Sequence, residues 1–138
     1  MFDITSEAVQ DTATLDLHRA NGSAMIGEDG KRASITLCGP GSQTYIDAVA
    51  ETRRRARQKV ERAGGRVTAA MDGKDEDEAD FLAAITVSFN NFEYPEPEGV
   101  KFKTKREQYA AFYMDDTLGY LREQVQDFRA DWGNFAKS

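Results

Sequence analysis

Toward the end of the chain, Leu118, Leu121, Val125, Phe128, Trp132 and Phe135 follow one another at intervals of 3, 4, 3, 4 and 3. On an α-helix that spacing sets all six on one narrow stripe, the a/d pattern of a helix that packs along a partner. Such a seam has to be covered, and the spacing leaves two occupants open: the body of the same domain, or another protein. The stripe grows more aromatic toward its C-terminal end, which suits docking, because aromatic rings carry large contact area.

Upstream, Thr12–Leu17 alternates with β-branched residues, as a half-buried strand does. Asn21-Gly22 and Glu28-Asp29-Gly30-Lys31 are turn signals, with room for a short strand at Ala24–Ile26 between them. Ala33–Cys38 alternates again, with Ile35 and Leu37 on one face. A meander of two or three such strands needs helices on its apolar side. Gly39-Pro40-Gly41 ends it, Ser42 is placed to cap a long helix, and Gly64-Gly65 closes that helix. Its apolar side carries Tyr45, Ile46, Val49, Ala56 and Val60, and its opposite side Arg53, Arg54, Arg55, Arg57, Lys59 and Arg62.

An acidic stretch, Asp72 to Glu78, reads as a loop. Phe81, Leu82, Ile85 and Phe89 then fall at helical spacing, although the segment Ile85–Phe89 fits a strand equally well. Pro95 and Pro97 mark a loop. Thr104-Lys105-Arg106-Glu107 has the form of a capping box, opening a helix that presents Tyr109, Phe112 and Tyr113. The expectation is therefore an α+β fold: a small N-terminal antiparallel meander of two or three strands packed with about four α-helices. At 138 residues one domain is expected. Its parts are a loose arm over 1–10, a β unit over 11–38, a long helix over 42–64, an acidic loop over 70–78 and a helical part over 79–136.

Charge narrows the function classes. With 18 Lys and Arg against 24 Asp and Glu, the net charge is −6, which argues against a dedicated nucleic-acid binder. The arginine-rich helix face is the one feature pointing the other way, and it has no interleaved aromatics. No apolar run approaches the length of a membrane span, and the acidic start lacks the basic and apolar regions of a signal peptide. The lone Cys38 excludes an internal disulfide and fits a reducing, cytoplasmic compartment.

Catalysis has little to stand on. His18 is the only histidine, and no nucleophile motif accompanies it. Cys38 reads as a buried strand cysteine. The acidic cluster lacks the order of a calcium loop, because Gly73 precedes it. Gly39-Pro40-Gly41 is no phosphate loop, since proline removes an amide that could hold phosphate. No cofactor or metal is expected, and no catalytic residue.

The order of these segments resembles the tail assembly chaperones of long-tailed bacteriophages and their prophages. The resemblance covers Ala33 onward. It rests on the strand, Gly-Pro turn and Tyr-containing basic helix of LCGPGSQTYIDAVAETRRRARQK; on Ala83, Val87, Asn90, Asn91 and Phe92; and above all on Leu121, Gln124, Val125, Phe128, Asp131, Asn134 and Phe135. It implies a non-enzymatic protein that binds the helical tape measure protein, keeps it soluble and helps tube subunits polymerise around it. Such a protein acts in the host bacterial cytoplasm and is not expected in the mature virion. Further implied partners are a frameshifted longer form of the same chain, the tail tube protein and other copies in a homo-oligomer, this chain being the short form.

A client of that kind is an amphipathic helix, which calls for an aromatic groove. The residues expected to line it are Tyr109, Phe112, Tyr113, Leu121, Val125, Phe128, Trp132 and Phe135. Replacing Trp132 and Phe135 by alanine is expected to release the client and leave the fold largely intact. Self-assembly is expected to set Arg53, Arg54 and Arg57 of one copy against Asp75 and Asp77 of the next. The alternatives are a small structural virion protein of the tail or neck and a nucleic-acid-binding regulator.

Overall fold

The computed structural model describes residues 1–137. Strands β1 (Thr12–Asp16), β2 (Ser34–Cys38) and β3 (Thr86–Asn90) form one antiparallel sheet in the order β1-β2-β3. Helices α1 (Gln43–Arg62), α2 (Lys74–Ile85), α3 (Lys105–Met114) and α4 (Gly119–Ala130) complete the α+β fold. Ile35 of β2 pairs with Leu15 of β1 on one side and Phe89 of β3 on the other. These side chains point to the same face, where they meet Leu82, Ile85, Phe112, Tyr113, Leu121 and Val125 in one core. The other face is a polar ladder: Thr14 and Thr36 hydroxyls lie 3.1 Å apart, and Asn90 Nδ2 donates to Thr36 Oγ1 at 3.0 Å.

The third strand is not the segment 24–26. That segment makes only single bridges, His18 with Ala24 and Ile26 with Arg32. Its backbone closes a triangle instead: Leu17 N donates to Ala33 O, Ala33 N to Met25 O, and Met25 N to Leu17 O. The sheet is completed from the middle of the chain, where α2 runs directly into β3 at Thr86. Of the two readings open for Ile85–Phe89, the strand is adopted from Thr86 onward, while Ile85 ends α2. Part of the expected helical stretch 79–136 is thus strand, and residues 91–103 are loop.

The helix signals act as physical stops and starts. Ser42 Oγ accepts from Tyr45 N at 3.3 Å. At the other end of α1, Gly65 N donates to Val60 O and Gly64 N to Glu61 O, a Schellman closure with Gly64 at φ 68°. Thr104 caps α3 through Glu107 N at 3.2 Å, while the Glu107 carboxylate takes Lys103 N at 2.8 Å, one residue before the cap.

Two expectations need correcting. The stretch 70–78 is not an acidic loop: a short 3-10 turn, Val67–Met71, leads to Gly73, and α2 begins at Lys74. Asp75, Glu76 and Asp77 occupy its first turn, where free backbone N–H groups favour carboxylates. Nor does the C-terminal stripe run along one helix. The α-helix ends at Ala130, Asp131 turns extended, and Trp132–Phe135 forms a separate 3-10 turn.

Candidate functional site: an apolar groove beside Trp132

That break sorts the stripe into core and surface. Leu121, Val125 and Phe135 are buried, as are Tyr109, Phe112 and Tyr113 of α3; Phe128 is half-buried. Six of the eight residues expected to line a groove are therefore packed inside. Tyr113 shows how completely: its hydroxyl meets Thr86 Oγ1 at 2.7 Å, and Thr86 Oγ1 donates onward to Leu82 O at 2.7 Å. Burial pushes the Tyr113 phenol far above its ordinary range. Trp132 alone stands outside, 56% exposed.

The residues that carry the family resemblance in this region have structural roles. Gln124 pairs with the His18 backbone, accepting from its N–H at 2.9 Å and donating to its carbonyl at 2.8 Å. Asp131 Oδ1 accepts from Gly133 N at 2.9 Å and so caps the terminal turn. Asn134 Nδ2 donates to Phe128 O at 2.9 Å, satisfying one of the last carbonyls of α4. Phe135 stacks edge-on to Phe128 at 5.5 Å, and its carbonyl accepts from Gln10 N at 2.8 Å. These residues build the corner that presents Trp132.

Around Trp132 two adjoining depressions of about 370 and 260 Å³ share Val49 and Arg53. The first is lined by Pro40, Tyr45, Ile46, Ala50 and the indole. The second reaches Phe81, Glu78, Gln126 and Arg129. Ile46, on the expected apolar side of α1, is 49% exposed, so that part of the side stays in solvent. The floor is rigid. Tyr45 and Phe81 meet edge-to-face at 5.4 Å, Arg129 lies 5.1 Å over the Phe81 ring, and Arg129 Nη1 donates to Tyr45 Oη at 3.0 Å. Arg53 makes no ion pair among the described residues, which leaves its guanidinium at the groove wall.

The residues expected to drive self-assembly divide in the same way. Asp77 is committed to Lys59 of α1 within the chain, and Arg54 to Glu51 at 2.5 Å. Asp75, Arg53 and Arg57 are exposed. Between α1 and α2, a polar crevice of about 290 Å³ is bridged by Arg55 and Asp80 at 2.7 Å, and Arg106 donates to Asp80 O at 3.2 Å. Acid and cation there satisfy one another, with the Asp80 hydrogen bond raising the Arg55 pKa. His18 and Cys38 do not converge on a nucleophile: His18 Nε2 faces Arg32 at 3.2 Å, and burial raises the Cys38 thiol. Among the described residues no group of three or more His, Cys, Asp or Glu is placed to hold a metal ion, and no helix is long and apolar enough to cross a membrane.

In comparisons with known proteins, no family model, curated protein or solved structure matches this chain.

Proposed function

We propose that this chain is a non-enzymatic tail assembly chaperone, acting in the host bacterial cytoplasm, and that its client is an amphipathic helix of the tape measure protein. The observation that carries the reading is the groove of Ile46, Val49 and Trp132, walled by Arg53. A long apolar client helix needs an apolar seat with a rigid aromatic anchor, and tryptophan is the side chain most often found as such an anchor. The net charge of −6 keeps a complex with an aggregation-prone partner in solution. The seat differs from the one first expected: Trp132 remains in it, Phe135 packs inward from the same turn, and Tyr109, Phe112 and Tyr113 lie in the core, Tyr109 and Phe112 against Phe89 and Tyr113 against Thr86.

The test is co-expression of the tagged chain with the tape measure protein of the same tail gene cluster. A soluble complex is expected with the wild type and is expected to be lost with Trp132→Ala combined with Ile46→Ser, both at exposed positions. A complex retained by that variant refutes the groove as the seat. If no complex forms and the chain is found in purified particles, it is a structural virion protein instead.

A further inference from the structure

The groove has a second candidate occupant within this sequence. Residues 1–8 form an arm whose 3-10 turn, Ile4–Glu7, buries none of its residues. Phe2 and Ile4 are 67% and 72% exposed. The turn is closed by local hydrogen bonds: Asp3 Oδ1 accepts from Thr5 N at 3.0 Å and from Thr5 Oγ1 at 2.7 Å, and Ser6 Oγ donates to Asp3 O at 2.8 Å. Two large apolar side chains are thus presented on a formed turn, which lowers the ordering cost of docking it.

The root of the arm sits at the rim of the groove. A Cβ placed on Gly41 would lie 3.1 Å from Val9 Cγ2 and 3.7 Å from Trp132 Cζ3, so the arm leaves the domain beside the indole. Gln10 N, bonded to Phe135 O, anchors it there. Charge is complementary as well. Residues 1–11 hold Asp3, Glu7 and Asp11 and no lysine or arginine, whereas the groove is lined by two cations, Arg53 and Arg129, against one carboxylate, Glu78. Within one chain the anchored root holds Phe2 and Ile4 out in solvent. A two-fold axis beside Trp132 would bring each root next to the other copy's groove, and two arms filling two grooves would close the contact on itself.

We infer that the groove receives the arm of a second copy of this chain, Phe2 and Ile4 entering between Ile46, Val49 and Trp132 while Asp3 and Glu7 face Arg53 and Arg129. The arm and a client helix would contend for the same groove, so the test of the dimer uses the protein alone. Trp132 is the only tryptophan, so its emission reports on the groove directly. Sedimentation and Trp132 emission are followed together across a wide range of protein concentration, for the wild type and for Phe2→Ser with Ile4→Ser. Dimer formation with a concurrent blue shift is expected for the wild type, and association weakened by roughly tenfold or more for the variant. Arg53→Glu is expected to weaken it too, and added salt to weaken the wild type. A wild type that stays monomeric, or a dimer unchanged by the arm variant, overturns the inference. So does a Trp132 emission that is blue at every concentration and reddens in the variant, which would place the arm in its own groove.

Discussion

Trp132 and Phe135 lie on one short turn, and replacing each by alanine separates surface from core. Phe135 is 1% exposed and packs on Phe128 and against Gly39. Its removal leaves a cavity in a region pinned by backbone bonds, so Phe135→Ala is expected to cost about 3–5 kcal/mol. For a chain of this length that is a fall in Tm of about 10–15 °C. Trp132, 56% exposed, covers only about 60 Å² more surface than alanine would, worth about 1.5 kcal/mol and less if the unfolded chain is compact. Trp132→Ala is therefore expected to lower Tm by about 5 °C or less. Guanidinium unfolding followed by far-ultraviolet circular dichroism suits both variants, since one of them lacks the only indole. Equal losses, or a larger loss for Trp132→Ala, would refute the assignment of core and surface and with it the groove.

Gly39→Ala tests the same corner from the other side. Its Cβ would lie 2.7 Å from Phe135 Cδ1 and 3.0 Å from the Gln10 carbonyl, and overpacking against a pinned ring is expected to cost about 1–3 kcal/mol in chemical denaturation. Tyr113→Phe removes a buried hydroxyl from the Thr86 bond and is expected to cost about 1 kcal/mol at neutral pH. The same phenol makes alkaline stability fall. Its folded pKa is raised, by burial first, above the ordinary value of 10.0, so above that pH the unfolded chain releases a proton the folded chain keeps, and stability drops as pH rises. Tyr113→Phe is expected to flatten that decline in denaturation curves taken from pH 9 upward, by roughly one proton's worth of slope. Asp80→Asn breaks the half-exposed pair with Arg55 and is expected to cost about 0.5–1 kcal/mol; the gap from wild type should narrow in high salt.

What could be read from the sequence was local, and what could not be read depended on distant partners. Ser42, Gly64 and Thr104 act on backbone groups within a few residues, so their signals fix where α1 and α3 begin and where α1 stops. The acidic stretch misled because composition says loop, whereas Asp77 is held by Lys59 of a different helix. Strand β3 was undecidable from its own residues: Thr86–Asn90 fits either periodicity until β2 supplies the hydrogen bonds. The apolar side assigned to α1 holds at Tyr45 and Val49 and fails at Ile46 for a related reason. Ile46 has the composition of a core residue, but the neighbours that bury a helix face reach Tyr45 and Ala48 instead.

The candidate site follows from one local event that a heptad reading overlooks. A stripe at 3 and 4 spacing predicts a continuous helix only while nothing competes for the backbone, and Asp131 does compete. An aspartate side chain two residues before a glycine offers the chain a turn of its own, and here its carboxylate accepts from Gly133 N. Once the helix stops at Ala130, Trp132 and Phe135 no longer share a seam by virtue of spacing. Asn134 then closes the carbonyl end of α4, Phe135 turns inward under Gly39, and the indole is left against Pro40 and Ile46. The carbonyl of the buried ring's own residue holds Gln10, so the bond that seats Phe135 also fixes the root of the arm. Groove, anchor and arm therefore share one corner of the molecule: loosening it through Phe135 should disturb stability, Trp132 exposure and self-association together, while Trp132→Ala should remove association at a much smaller loss of stability.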